Sequence, residues 1–220
     1  MRLLHPEPTP NCPLCPRLVE FRQRNANLFP DWHNAPVPSF GPEDARLLIV
    51  GLAPGLRGAN RTGRPFTGDW AGDLLFATLA KHGFSKGTYG LDADDGLTLN
   101  DVMITNAVRC VPPENKPVGA EANACRPFLV DRLASLPRLT AILALGKIAH
   151  DNTLRALGQR LVSAPFGHAA ASDIETAKGP VRLFSSYHCS RYNTNTGRLT
   201  EPMFSAVFAD IRRFLDTQPQ

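Results

Sequence analysis

No apolar run in this chain approaches the ~20 residues that a bilayer-spanning helix needs, so a transmembrane helix is not expected. A secretory signal is also missing. Met1 to Pro10 carry prolines and a glutamate where a signal peptide carries an apolar stretch, so a cytoplasmic location is expected. Without export, five cysteines do not read as a disulfide framework. A large excess of charge of one sign is also lacking. Twenty-four Lys and Arg against 20 Asp and Glu leave +4, which is compatible with nucleic acid without requiring it. Charged residues make up only 20% and hydrophobic residues 43%, which excludes wholesale disorder. No linker, internal repeat or low-complexity tract divides the 220 residues. One domain over 1–220 is expected, including the proline-rich segment 1–45.

Two familiar nucleotide signatures are absent. The glycine-rich stretch from Gly51 to Asp69 contains no G-K-[ST], so it is no Walker A loop, and Gly146-Lys147 is followed by Ile148. There is no G-x-G-x-x-G either.

What is present alternates. A helical stretch at 18–27 is followed by an apolar strand at 46–50 and a helix at 70–82, with Asp69 as N-cap and Gly83 as its stop. A strand at 102–106 and a helix at 120–136 come next, then a strand at 140–145 and a helix at 147–157. A strand at 181–185 and a helix at 202–215 close the chain. Four strands alternating with helices predict an α/β fold, a three-layer α/β/α sandwich with a central four-stranded, mostly parallel sheet. Ligands of such sheets bind beyond the carboxyl ends of the strands. The segments 51–69, 106–118, 146–147 and 186–198 are therefore the ones to read for chemistry.

The first, Gly51 to Asp69, lets backbone N–H groups approach a ligand and carries Arg57, Arg61 and Arg64, which suit phosphates or a solvated face. In the second, Asn106 closes an apolar strand. Its amide suits the edge of a base, or a local turn. The third runs from Ser185 to Arg198 and is almost wholly polar, with His188, Tyr192 and two arginines. Cys189 beside His188 suggests a thiol nucleophile only weakly, because adjacent side chains diverge and no separate base is evident. Cys12 and Cys15 form a C-x-x-C, and Cys110 and Cys125 a second pair. Four soft ligands in two pairs read as a metal or cluster site.

Together these segments resemble the uracil-DNA glycosylase superfamily, and in particular its family-5, type-B branch. G-L-A-P-G at 51–55 with G-R-P-F-T-G-D at 63–69 looks like that branch's first motif. I-T-N-A-V-R-C-V-P-P-E-N-K-P at 104–117 is similar to its middle segment, and H-C-S-R-Y-N-T-N-T-G-R-L-T at 188–200 to its second motif. The four paired cysteines match the family's cluster ligands in order. One departure stands out: Cys189 follows the motif histidine, where proline is common.

The resemblance implies an α/β/α sandwich around four parallel strands, which agrees with the strand count. It implies hydrolysis of the N-glycosidic bond of uracil in DNA, with hypoxanthine as a further substrate, leaving an abasic site for base excision repair. It implies a [4Fe–4S] cluster on Cys12, Cys15, Cys110 and Cys125, so that the segment 1–45 contributes two ligands. DNA containing deaminated bases is the implied partner, and a monomer is expected.

Glycosidic bond breaking leaves positive charge on the sugar and negative charge on the base. Carried onto this sequence, the roles are as follows. His188 donates to the departing base. Asp69 serves the sugar or water, unless it only caps its helix. Asn106 reads the base edge. Phe66 stacks on the flipped ring, unless it is core. Backbone near Gly51, Ala53 and Gly55 contacts the base or a phosphate, and Ala53 itself is inert. Arg191, Tyr192 and Asn193 press into the DNA where the base leaves. Two other readings remain: an iron–sulfur electron carrier, and a nucleic-acid-binding protein, with iron–sulfur or zinc, that lacks glycosylase activity.

Overall fold

The structure is a computed structural model that describes residues 4–218. Met1–Leu3 and the last two residues, which end the expected 1–220 domain, lie outside the described residues.

Five strands form the main sheet: β1 (Leu47–Gly51), β4 (Val102–Asn106), β5 (Ala141–Leu145), β6 (Ala171–Thr176) and β7 (Gly179–Ser186), in the order β4-β1-β5-β7-β6. The expected four are all parallel, and β6 pairs antiparallel with β7. The sheet therefore has five strands rather than four. The sequence Ala171–Thr176 hides the fifth because it lies on an edge, mostly exposed, with only Ile174 buried. Strands β1, β4 and β5 are buried at every position, as expected of a sheet covered on both faces. The opposite edge is covered too: Phe40 exchanges backbone hydrogen bonds with Ile104 of β4 at 2.9 and 2.8 Å.

Helices fill the outer layers. On one face α3 (Trp70–Lys81) and α7 (Glu201–Asp216) pack on the sheet. Phe204, Val207, Phe208, Ile211 and Leu215 form the buried stripe of α7 at helical spacing, and Thr200 caps it by accepting the Met203 N–H at 3.3 Å. On the other face α4 (Gly119–Ser135) and α5 (Lys147–Ala156) cover Leu48, Met103, Ile142 and Leu183. A third, small cluster joins Leu18 of α1 (Pro16–Leu28) to Val108, Cys110 and Ala122.

Four further elements are short. They are α2 (Ala59–Thr62), α6 (Arg191–Asn195), and β2 (Ser85–Lys86) paired with β3 (Thr98–Leu99). The 186–198 segment is thus part helix. Ser190 caps α6 by accepting the Asn193 N–H at 3.4 Å.

Candidate active site

Strands β1, β4 and β7 end in Gly51, Asn106 and Ser186, and the chain beyond these three carboxyl ends walls a cleft of about 370 Å³. That volume suits a flipped base with part of its sugar. Ala53, Gly55, Phe66, Asp69, Asn106, His188 and Arg191 all line it. Residues from three distant segments therefore meet where the sheet topology places a ligand.

Asn106 lies at the floor, 2% exposed, and its Oδ1 has no hydrogen-bond partner. A buried acceptor left unpaired costs about 1–3 kcal/mol. The plainer reading of Asn106, a side chain satisfied in a local turn, does not hold. Gly51 faces it. A Cβ there would collide with Asn106 Oδ1 and lie 2.7 Å from the Phe66 ring. The missing side chain keeps the floor open between the amide and the ring.

Phe66 is 7% exposed and touches the core, yet its φ is +54°. A bulky residue in the left-handed region carries strain of about 1–3 kcal/mol. Its ring lies 6.1 Å from the His188 ring, centroid to centroid, at 28°. An unpaired amide and a strained aromatic in one cleft are two local costs that packing alone does not explain.

Asp69 does cap α3, with Oδ1 accepting the Gly72 N–H at 3.1 Å. Its other oxygen faces Gly55 and Gly58, where a Cβ would come to 3.0 and 2.5 Å of Oδ2. Two glycines leave that oxygen room. Burial pushes the carboxyl above its ordinary range, against the pull of the backbone N–H groups of Gly72 and Ala71.

His188 follows β7, and a Cβ added at Gly146 would come to 3.4 Å of the His188 Cβ. Burial pushes its imidazole down to about 4, so the ring is neutral at pH 7. Asn193 donates its amide N–H to the His188 carbonyl at 2.8 Å, which ties α6 to the histidine. Arg191 is exposed and lies over the Trp70 ring, 5.1 Å from its centroid, and Tyr192 is 72% exposed.

One expectation changes, at Arg64, and the weak thiol reading of Cys189 falls away. Arg64 is no phosphate contact, because it is 4% exposed and forms a bidentate pair with Asp95 at 2.7 and 2.6 Å. Arg57 and Arg61 remain exposed. Cys189 is fully buried, with its thiol against the Ala71 carbonyl at 3.5 Å, and burial pushes it well above the ordinary thiol range. It is no nucleophile. Trp70, Asn115 and Ser190 also line the cleft and were not singled out. Trp70 follows Asp69 directly and reads in sequence as the first turn of a helix.

The paired cysteines converge as well. Cys12, Cys15, Cys110 and Cys125 line one small cavity between α1, α4 and the chain after β4. Two N–H groups point at the sulfurs: Arg22 Nη1 at 3.4 Å from Cys110 Sγ, and the Arg109 backbone N–H at 3.4 Å from Cys125 Sγ. Arg22 also donates to the Cys12 carbonyl at 3.2 Å. Burial pushes the Cys110 thiol up to about 11 and that of Cys125 up to about 12. Among the described residues, no three His, Cys, Asp or Glu side chains are gathered as around one metal ion. The cavity's lining offers four thiols and no histidine or carboxylate, a soft donor set that suits zinc or an iron–sulfur cluster. Ala53 packs against this group and also lines the cleft, so the two sites share a wall.

A family model described as the uracil DNA glycosylase superfamily matches residues 38–212. The chain belongs to this superfamily, as its fold and cleft anticipate. A protein of Thermus thermophilus is 44% identical, over 92% of this chain and 93% of its own length. One of Mycobacterium leprae is 43% identical over 92% and 90%, and one of Pyrobaculum aerophilum 42% over 90% and 86%. All three are named Type-5 uracil-DNA glycosylase, and the chain's place is in that branch.

Proposed function

We propose that this protein hydrolyses the N-glycosidic bond of uracil in DNA, releasing the base and leaving an abasic site for repair. The observation that carries the reading is the unpaired amide of Asn106, held open by Gly51 beside the strained Phe66. Uracil presents an N3–H donor beside an O4 acceptor. One primary amide satisfies both, with its oxygen accepting and its nitrogen donating. The base must leave the stack to reach the cleft, and Phe66 then meets its face.

As the C1′–N bond breaks, its electron pair moves onto the base. Neutral His188 donates a ring N–H to the base oxygen where that charge gathers. Water supplies the oxygen that bonds to C1′. The free oxygen of Asp69 faces the sugar side, where a carboxylate stabilises the cationic sugar and takes the water's proton. Arg191 and Tyr192 stand at the mouth, exposed, where they meet phosphate and fill the vacated stack.

The same reading places a [4Fe–4S] cluster on Cys12, Cys15, Cys110 and Cys125. When bound, the cluster ties the N-terminal segment to the chain after β4, and no step of the hydrolysis passes through it. Hypoxanthine offers an N1–H beside O6, a donor next to an acceptor as in uracil, and is read as a further substrate. Action as a monomer and a cytoplasmic location go with that reading. Among the described residues no helix is long and apolar enough to cross a membrane.

Alkaline cleavage of oligonucleotides, each carrying one deaminated base, tests this. The uracil strand should break at its modified position. Brown, cluster-loaded protein that leaves every strand intact would support the electron-carrier or binding reading instead.

A further inference from the structure

We propose that the segment 87–97, outside every motif, is a clamp that positions Phe66 and Asp69 for the reaction, with Tyr89 as its working residue. The inference rests on reading the cleft as the base site. Tyr89 is a positioning residue and touches no substrate.

The turn from Arg64 to Gly68 is gripped at both ends. At its start, Asp95 takes both arms of Arg64, and Arg64 Nε donates to Thr67 Oγ1 at 2.7 Å. Asp95 also accepts the N–H groups of Gly90 and Leu97 at 2.8 and 2.9 Å, so it closes its own loop as it holds the turn. At the other end, the Tyr89 hydroxyl accepts the Gly68 N–H at 3.0 Å and donates to the Phe66 carbonyl at 3.3 Å. The Tyr89 ring stacks on Phe76 of α3, 4.5 Å between centroids, so its hydroxyl is aimed by the core. Gly72 lies against the same point. A Cβ there would collide with the Phe66 carbonyl oxygen and come to 2.6 Å of the Tyr89 hydroxyl.

Phe66 sits at φ +54° and Gly68 at φ +84°, both in the left-handed region. For a phenylalanine that geometry persists only where its surroundings over-determine it. The Tyr89 hydroxyl binds the carbonyl of Phe66 and the N–H of the residue before Asp69. It therefore fixes the plane offered to the base and the entry into the helix that Asp69 caps. Burial pushes the phenol up to about 12, so it remains a donor at working pH.

The test is a double-mutant cycle between Tyr89→Phe and Phe66→Ala. Single-turnover uracil release and affinity for abasic product DNA are measured, with amide hydrogen exchange over residues 66–69. Tyr89→Phe keeps the ring and removes one hydroxyl. It should slow the single turnover about tenfold, the scale of one lost hydrogen bond, and leave abasic-DNA affinity unchanged. In the Phe66→Ala background the same change should cost clearly less, since only the Asp69 side of the clamp is left to lose, and Gly68 should exchange faster in both. An equal loss in both backgrounds, or no loss in either, would overturn the clamp. If the unaltered protein releases no uracil, the functional reading fails by itself. The clamp then stands or falls on exchange, and an unchanged Gly68 overturns it.

Discussion

At the scale of single residues, the cleft sets stability against chemistry at Asp69. The residue caps α3, and Asn caps a helix as well as Asp does. Burial penalises the ionised carboxylate, so at pH 7 the native state carries a cost that Asn would not. Asp69→Asn should therefore leave the melting temperature equal or higher at pH 7 while uracil release collapses. The sign follows from linkage. The folded carboxyl holds its proton more tightly than the unfolded one. The charged form's cost fades as pH falls through the raised pKa, and the variant's advantage fades with it. Melting curves at several pH values check this, and a lower melting temperature for Asp69→Asn at pH 7 would show the cap outweighing the burial cost. His188 shifts the other way. Its neutral ring contributes stability above its unfolded pKa of about 6.5 that is lost as pH falls toward about 4. His188→Gln should remove that loss and slow the chemical step with little change in DNA affinity. Asn106 and His188 drew notice in the sequence as polar residues at the end of apolar strands, and the roles expected of them came from the family resemblance. Tyr89 and Trp70 were not, because their roles arise from contacts across the chain that no local pattern records.

At the scale of elements, α6 carries the prediction. The sequence suggested a polar loop after His188, and the fold turns part of it into a short capped helix. Trp70 braces it by donating its indole N–H to Thr194 Oγ1 at 2.9 Å, and Arg191 lies over the same ring. Asn193, expected at the DNA, also holds the His188 carbonyl. Tyr192 is left free to enter a stack. Unstacking a paired base costs a few kcal/mol, and less for a mismatched or single-stranded one. Tyr192→Ala should lose most activity on U·A pairs, less on U·G and least on single strands. A uniform loss across the three in single-turnover assays would count against the wedge. The parallel strands and long helices were legible from apolar runs and helical spacing. The edge strand β6 was not, since a mostly exposed strand lacks the apolar run that marks a buried one.

At the scale of the whole molecule, the cysteines join segments far apart in sequence. Two come from the N-terminal segment, one from the chain after β4 and one from α4. Changing Cys12, Cys15, Cys110 or Cys125 to Ala should bleach the protein and lower its solubility, while Cys189→Ala, buried in the core beside α3, should keep its colour. Iron content and visible absorbance decide the matter, and a bleached Cys189→Ala beside a coloured Cys125→Ala would reverse the ligand assignment. The pairing of these cysteines was legible in their spacing. That they share a wall with the base site, through Ala53, required the fold.

The central claim is that one cleft, built on Asn106, Phe66, Asp69 and His188, frees uracil from DNA. The most direct measurement is free uracil released from a duplex carrying one U·G pair, with enzyme in excess. A protein prepared in parallel with Asp69→Asn and His188→Ala together serves as the control for contaminating activity. One uracil and one alkali-labile site per strand are expected from the unaltered protein, and a rate at least a hundredfold lower, about 2.7 kcal/mol in the barrier, from the double variant. Equal release from the two proteins, or none from either, would contradict the central claim.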